Sequence, residues 1–175
     1  FFVFISGLPL VAVEQLNMTQ SQIGLSMGSM TTGFLAGNFL SAQLAGRQTA
    51  NTAILLGRSV ATFGLLGGVF LLWNNWGPPW LLFVGIICAG LGNGLTIPSA
   101  SAAILFVRKD LAASASGLFG AVIVVFGGIF STITGKIIQA QPTAIVLISL
   151  MLVLSIVSLS LAIWMRSISH TANPE

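Results

Sequence analysis

Long apolar runs alternate with short polar interruptions along the whole chain. The runs cover about residues 1–15, 21–44, 52–73, 80–107, 113–135 and 143–165, and polar or turn-forming residues separate them at 16–20, 46–51, 74–79, 108–110 and 139–142. A helix that crosses the hydrocarbon core of a bilayer needs about 20 mostly apolar residues. Five of the six runs reach that length, and the first is short. The pattern predicts six membrane helices joined by short connections, followed by a polar tail over 166–175. The chain opens Phe1-Phe2-Val3-Phe4-Ile5 without a methionine, a basic leader or a cleavage site, so this stretch is not a signal peptide. It reads as a helix entered partway, and the sequence is expected to be a fragment.

Composition agrees with a bilayer as solvent. Hydrophobic residues make up 55% and charged residues 5% of the 175, and the mean hydropathy is +1.02. Soluble domains carry roughly 25% charged residues. The six Lys and Arg are too scattered for a phosphate-binding patch, which excludes a nucleic-acid partner. With one cysteine, Cys88, and one histidine, His170, there is neither an intrachain disulfide nor a metal cluster, and no cofactor is implied.

The positions of the charges matter more than their sum. Successive spans alternate in direction, so the second-to-third connection, the fourth-to-fifth connection and the tail share a side. That side holds Arg47, Arg108, Lys109 and Arg166, with Arg58 one or two turns inside the third span; the other holds Lys136 and Glu14. Cytoplasmic connections carry the excess of Lys and Arg. The C-terminus is therefore expected in the cytoplasm, and Trp76 and Trp80 at the outer interface.

Twenty glycines would weaken helices in water, but between membrane helices small residues let backbones approach. Gly24 with Gly28 and Gly33 with Gly37 form such stripes in the second span, Gly90 with Gly94 in the fourth. The sixth span has no glycine and reads as peripheral and lipid-facing. Pro98 breaks the hydrogen-bond ladder of the fourth span, so a bend and a freed carbonyl are expected near Gly94. Amides at membrane depth face a protein interior or a wet cavity. Asn38, Asn93 and Thr96 are thus candidates either for cross-linking helices or for a substrate path. Phe119 and Phe126, one heptad apart, would suit lipophilic cations or simply pack.

"LGNGLTIPSASAA", then basic residues, then "AASASGLFGAV" resembles the tenth and eleventh helices of major facilitator superfamily drug exporters, most closely the Bcr/CflA-type drug:proton antiporters. The opening "SGLPLVAVEQLNMTQSQIGL" is similar to that family's seventh helix, outer loop and start of the eighth. The resemblance spans the chain as helices seven to twelve. It implies an all-α half of a twelve-helix fold, in a bacterial inner membrane, with a preceding six-helix half as partner. In such a half the first, second, fourth and fifth spans line the cavity, and the third and sixth lie outside. One departure is the loop after the second span: where the family carries a dense basic motif with glycine, this chain has Ala45-Gly46-Arg47-Gln48-Thr49-Ala50-Asn51.

The expected function is secondary transport by alternating access, with export of lipophilic drugs and exchange for protons coming from the resemblance. A membrane scaffold without transport of its own is the alternative. An enzyme is not expected, because no His, Asp or Glu lies in a span interior. Glu14, near the outer end of the first span, is the one acid that could contact protons or ions in the cavity, or else it is a solvated flank.

Overall fold

The computed structural model describes residues 1–74, 82–107 and 111–172. They form six helices: α1 (Phe2–Glu14), α2 (Gln20–Leu44), α3 (Ala50–Trp73), α4 (Leu82–Val107), α5 (Ala112–Ala140) and α6 (Ala144–Ala172). Four are long and apolar enough to cross a membrane: α3, α4 over Phe83–Ile104, α5, and α6 over Ala144–Ile168. The 24 residues of α3 span about 36 Å at ~1.5 Å each, against a core of ~30 Å. The chain is an all-helical protein of membrane-spanning character. Trp76 and Trp80, expected at an interface, and the basic connection at 108–110 lie outside the described residues.

Local chemistry sets the helix ends. Thr19 caps α2 in a capping box with Gln22: the Thr19 amide donates to Gln22 Oε1 at 2.8 Å, and the Thr19 hydroxyl accepts from the Gln22 amide at 3.4 Å. Asn17 just before it has φ 48°, a left-handed turn that asparagine tolerates better than most residues. Gly46, at φ 82°, reverses the chain between α2 and α3. At the start of α6 the Ala144 amide donates to Gln15 Oε1 at 2.5 Å, so the end of α1 satisfies one of α6's free N–H groups.

Two helices run further than the hydropathy predicts. α5 continues through Gly135 and Lys136 to Ala140, because nothing breaks the ladder until Pro142 forces Gln141 into an extended conformation (φ −146°, ψ 86°). α6 continues past Met165 to Ala172, so most of the expected tail is helical.

α4 is the central helix, with α2 on one side and α3 on the other. α3 also packs on α6, and α1 sits against α5 and α6. The core is built from Phe4, Leu8 and Val11 of α1, Met30, Leu65, Ile86, Ile138, and Leu147 and Ile148 of α6. The glycine-free α6 is thus peripheral on one face only. Its Val153, Val157 and Trp164 are exposed, while Leu147, Ile148 and Ser155 are buried. Serine supplies the small contact there: Ser155 Oγ lies 2.8 Å from Thr62 Oγ1 of α3.

Glycine decides how closely α4 is approached. A Cβ at Gly33 would strike the Ile87 carbonyl, at Gly37 the Leu91 carbonyl, at Gly90 the Met30 carbonyl and at Gly94 the Phe34 carbonyl. These four form one reciprocal α2–α4 crossing, backbone on backbone. On the opposite face of α4, Gly92 meets Gly57 and Ala61 of α3. The stripe expected at Gly24 and Gly28 is not a contact: no described atom lies within 4 Å of a Cβ at either position. That turn of α2 points away from α4, with Leu25 beside it 77% exposed.

Candidate functional site

Two polar groupings flank α4, and the sequence candidates divide between them. On the α3 side, Arg58 reaches across to α4. Its Nη2 donates to Asn93 Oδ1 at 2.9 Å and its Nε donates to Thr96 Oγ1 at 3.2 Å. The Thr96 hydroxyl itself donates to the Gly92 carbonyl at 2.8 Å. Asn93 and Thr96 are therefore brought together as acceptors of one guanidinium, and they cross-link α3 to α4. The sequence shows Arg58 only as a basic marker near one end of a span. Its role as their partner was missed, although an arginine eight residues into an apolar helix is the kind of residue that must find acceptors.

On the α2 side lies a pocket of about 480 Å³. It runs from Asn38 and Pro98 to the α2–α3 turn at Gly46 and Gln48, with Ser41, Ser99, Ala102 and Ala103 along its walls. Its volume falls within the ~300–1,000 Å³ usual for small-molecule sites. Several features converge here for local reasons. Gly37 and Gly94 bring the backbones together beside it, and the Asn38 backbone nitrogen lies against Gly94. α4 continues as helix through Pro98, which has no N–H to give the Gly94 carbonyl. Next to the proline, the Ser99 hydroxyl bonds back to the Leu95 carbonyl at 2.9 Å and lies 3.3 Å from Ser41 Oγ.

Asn38 is the notable wall residue. Its Oδ1 is shut off from solvent and has no hydrogen-bond partner among the described residues. A buried unmade hydrogen bond of this kind costs about 1–3 kcal/mol. An unsatisfied group of this kind calls for an explanation, such as local strain or a bound water, ion or ligand.

The remaining candidates stand apart. Phe126 on α5 is 54% exposed and stacks on Phe130, ring centroids 6.5 Å apart; Phe119 is half-buried, and neither lines the pocket. Glu14 is exposed at the end of α1. No protein-family model matches the chain, and no curated protein or solved structure matches it either.

Proposed function

We propose that this chain is the C-terminal six-helix half of a twelve-helix secondary transporter, which exports small lipophilic molecules in exchange for protons by alternating access. The reading rests on the pocket between α2 and α4. It is mostly apolar, of ligand size, and keeps one amide oxygen without a partner. A lipophilic substrate with a single hydrogen-bond donor fits such walls: the apolar body leaves water, and the donor satisfies Asn38 once that side chain, whose Oδ1 is closed off from the pocket here, rotates to meet it. The likeness of residues 91–103 and 112–122 to major facilitator drug exporters supports the same reading. The preceding six-helix half is the partner, and it carries the proton-coupling carboxylate, since Glu14 lies exposed at a helix end.

The test is Asn38→Leu in the complete transporter, followed by efflux of a fluorescent lipophilic dye from cells and by thermal unfolding of the purified protein. Leucine removes an unmet hydrogen-bonding group, so stability is expected to hold or rise by about 1 kcal/mol. Export of a donor-bearing dye is expected to fall severalfold, and export of a matched dye lacking the donor is not. Equal export of both dyes by the variant would remove Asn38 from the substrate path.

The membrane is taken to be a bacterial inner membrane, with the C-terminus in the cytoplasm. The Gln15–Ala144 bond places the α1–α2 and α5–α6 connections at one end of the bundle, together with Trp73. Arg47 and Arg166 belong to the connections of the other end, which the excess of basic residues makes cytoplasmic. In a Cys88→Ala background, Gln141→Cys is expected to react with an impermeant maleimide on intact cells and Thr171→Cys only after lysis. The reverse pattern would invert the topology.

A further inference from the structure

Two hydroxyls line the pocket between α2 and α4, those of Ser41 and Ser99. Ser99 is satisfied, because it donates to the Leu95 carbonyl at 2.9 Å. Helical hydroxyls commonly bond back in this way. Ser26, Thr32, Thr96, Ser101 and Thr132 likewise turn to the carbonyl four residues earlier, at 2.7–2.9 Å. Ser41 does not. Its Oγ has one contact among the described residues, the Ser99 Oγ at 3.3 Å. The Ser99 proton is already given to Leu95, so Ser41 is the donor of that pair. Hydrogen bonds between hydroxyls are usually about 2.7–2.8 Å long, so this one is weak. A hydroxyl taken from water without a good partner is costly. Ser41 is 8% exposed, so a better partner has to come from the pocket it lines.

Asn38 lies three residues before Ser41. Both side chains therefore leave one face of α2, with Cβ atoms about 5–6 Å apart, and both line the pocket. Beside them the walls are small and apolar, with Ala42 and Ala53 facing Ala102 and Ala103 across the space. Every lining residue falls between Asn38 and Ala103, on α2, α3, α4 or the α2–α3 turn. One side of the pocket thus offers an acceptor and a donor together. The acceptor is Asn38 Oδ1 after its side chain rotates, and the donor is the Ser41 hydroxyl after it leaves Ser99.

Resting on the reading of this pocket as the substrate site, we propose that Ser41 is a specificity residue, whose hydroxyl donates to an acceptor on the bound molecule. The substrate class narrows accordingly, to lipophilic molecules that carry one donor and one acceptor side by side on one edge. The donor goes to Asn38 and the acceptor to Ser41. The exchange favours binding, since Ser41 gives up a contact at 3.3 Å for a bond of ordinary length and Ser99 keeps its bond to Leu95.

The experiment measures binding of three bicyclic probes of similar size to the complete protein in nanodiscs, by equilibrium dialysis. Carbostyril carries an N–H and a C=O side by side, N-methylcarbostyril keeps the acceptor alone, and tetrahydroquinoline keeps the donor alone. The parent is expected to bind carbostyril most tightly. Ser41→Ala fits the same space without the hydroxyl. It should weaken carbostyril and N-methylcarbostyril about three- to tenfold, the worth of one hydrogen bond, and leave tetrahydroquinoline unchanged. Ser41→Cys, with a weaker donor, should fall between the parent and Ser41→Ala. Ser101→Ala should bind all three as the parent does, because Ser101 bonds back to Ile97 and does not line the pocket. Ala103→Trp fills the pocket and should weaken all three. If Ala103→Trp weakens them while Ser41→Ala affects all three equally or none, Ser41 loses its assignment and the pocket keeps its own. Absence of binding by the parent, or binding that Ala103→Trp leaves unchanged, removes the pocket reading and this inference with it.

Discussion

Leucine at Gly94 is expected to prevent α2 and α4 from docking, whereas leucine at Gly28 leaves the bundle intact. Even a Cβ at Gly94 would collide with the Phe34 carbonyl and crowd the Asn38 amide nitrogen at 2.8 Å. Overpacking against mobile side chains typically costs about 1–3 kcal/mol. Here the obstacle is backbone in the middle of a helix, which cannot turn aside, so the two helices must separate. Separation removes a contact that includes Gly33, Gly37 and Gly90 and opens the Ser41–Ser99 pair. Membrane helices gain little by simply being apolar in an apolar solvent, so lost close packing is not recovered elsewhere. The readout is a disulfide between Ser41→Cys and Ser99→Cys in a Cys88→Ala background, since the parent hydroxyls lie 3.3 Å apart. It should form readily in the parent and in Gly28→Leu, and fail in Gly94→Leu. A crosslink of equal yield in Gly94→Leu would show that the glycine crossing does not hold the two helices together.

Under the proposed transport function, Ala103→Trp is expected to abolish export by the complete protein without changing its amount in the membrane. Ala103 lines the pocket of about 480 Å³ on the α4 side. An indole entering from that wall occupies much of the space in which a lipophilic substrate would lie. Each ~1.4 kcal/mol of steric cost to the bound substrate is a factor of ten in affinity. Export is therefore expected to drop to about a tenth or less. Val153→Trp is the control, since Val153 is 58% exposed on α6, which lies outside the cavity in the proposed arrangement. The measurement is the initial rate of dye efflux, normalised to protein level by immunoblot. Undiminished efflux by Ala103→Trp would place the substrate path elsewhere, and the outer faces of α2 and α5 would be the next surfaces to probe.

Six membrane spans were expected, but four of the helices are long and apolar enough to cross: α1 is short and α2 is less apolar. The number of helices, their order and most of their ends were legible along the chain. They follow from local causes: apolar length, the Thr19 cap, the Gly46 reversal and the Pro142 stop each act within a few residues. Asymmetry of basic residues likewise needs no partner to be seen. The small-residue stripes were legible as a class, but not their use. Gly24 with Gly28 and Gly33 with Gly37 have the same spacing, yet only the second pair meets α4, because which face of α2 turns inward depends on how two whole helices cross.

The polar chemistry divides in the same way. The sequence by itself determined that Asn93, Thr96 and Arg58 sit in helices long and apolar enough to cross a membrane, where each needs a partner, and that Asn38 sits in a helix of that length that is less apolar. Only the tertiary structure decided that Arg58 takes Asn93 and Thr96, that Ser155 pairs with Thr62, and that Asn38 is left over at the wall of a pocket. Those pairings join residues 35 to 93 positions apart. Hydrogen bonds act over about 3 Å, so their partners are set by packing geometry rather than by neighbours in the chain.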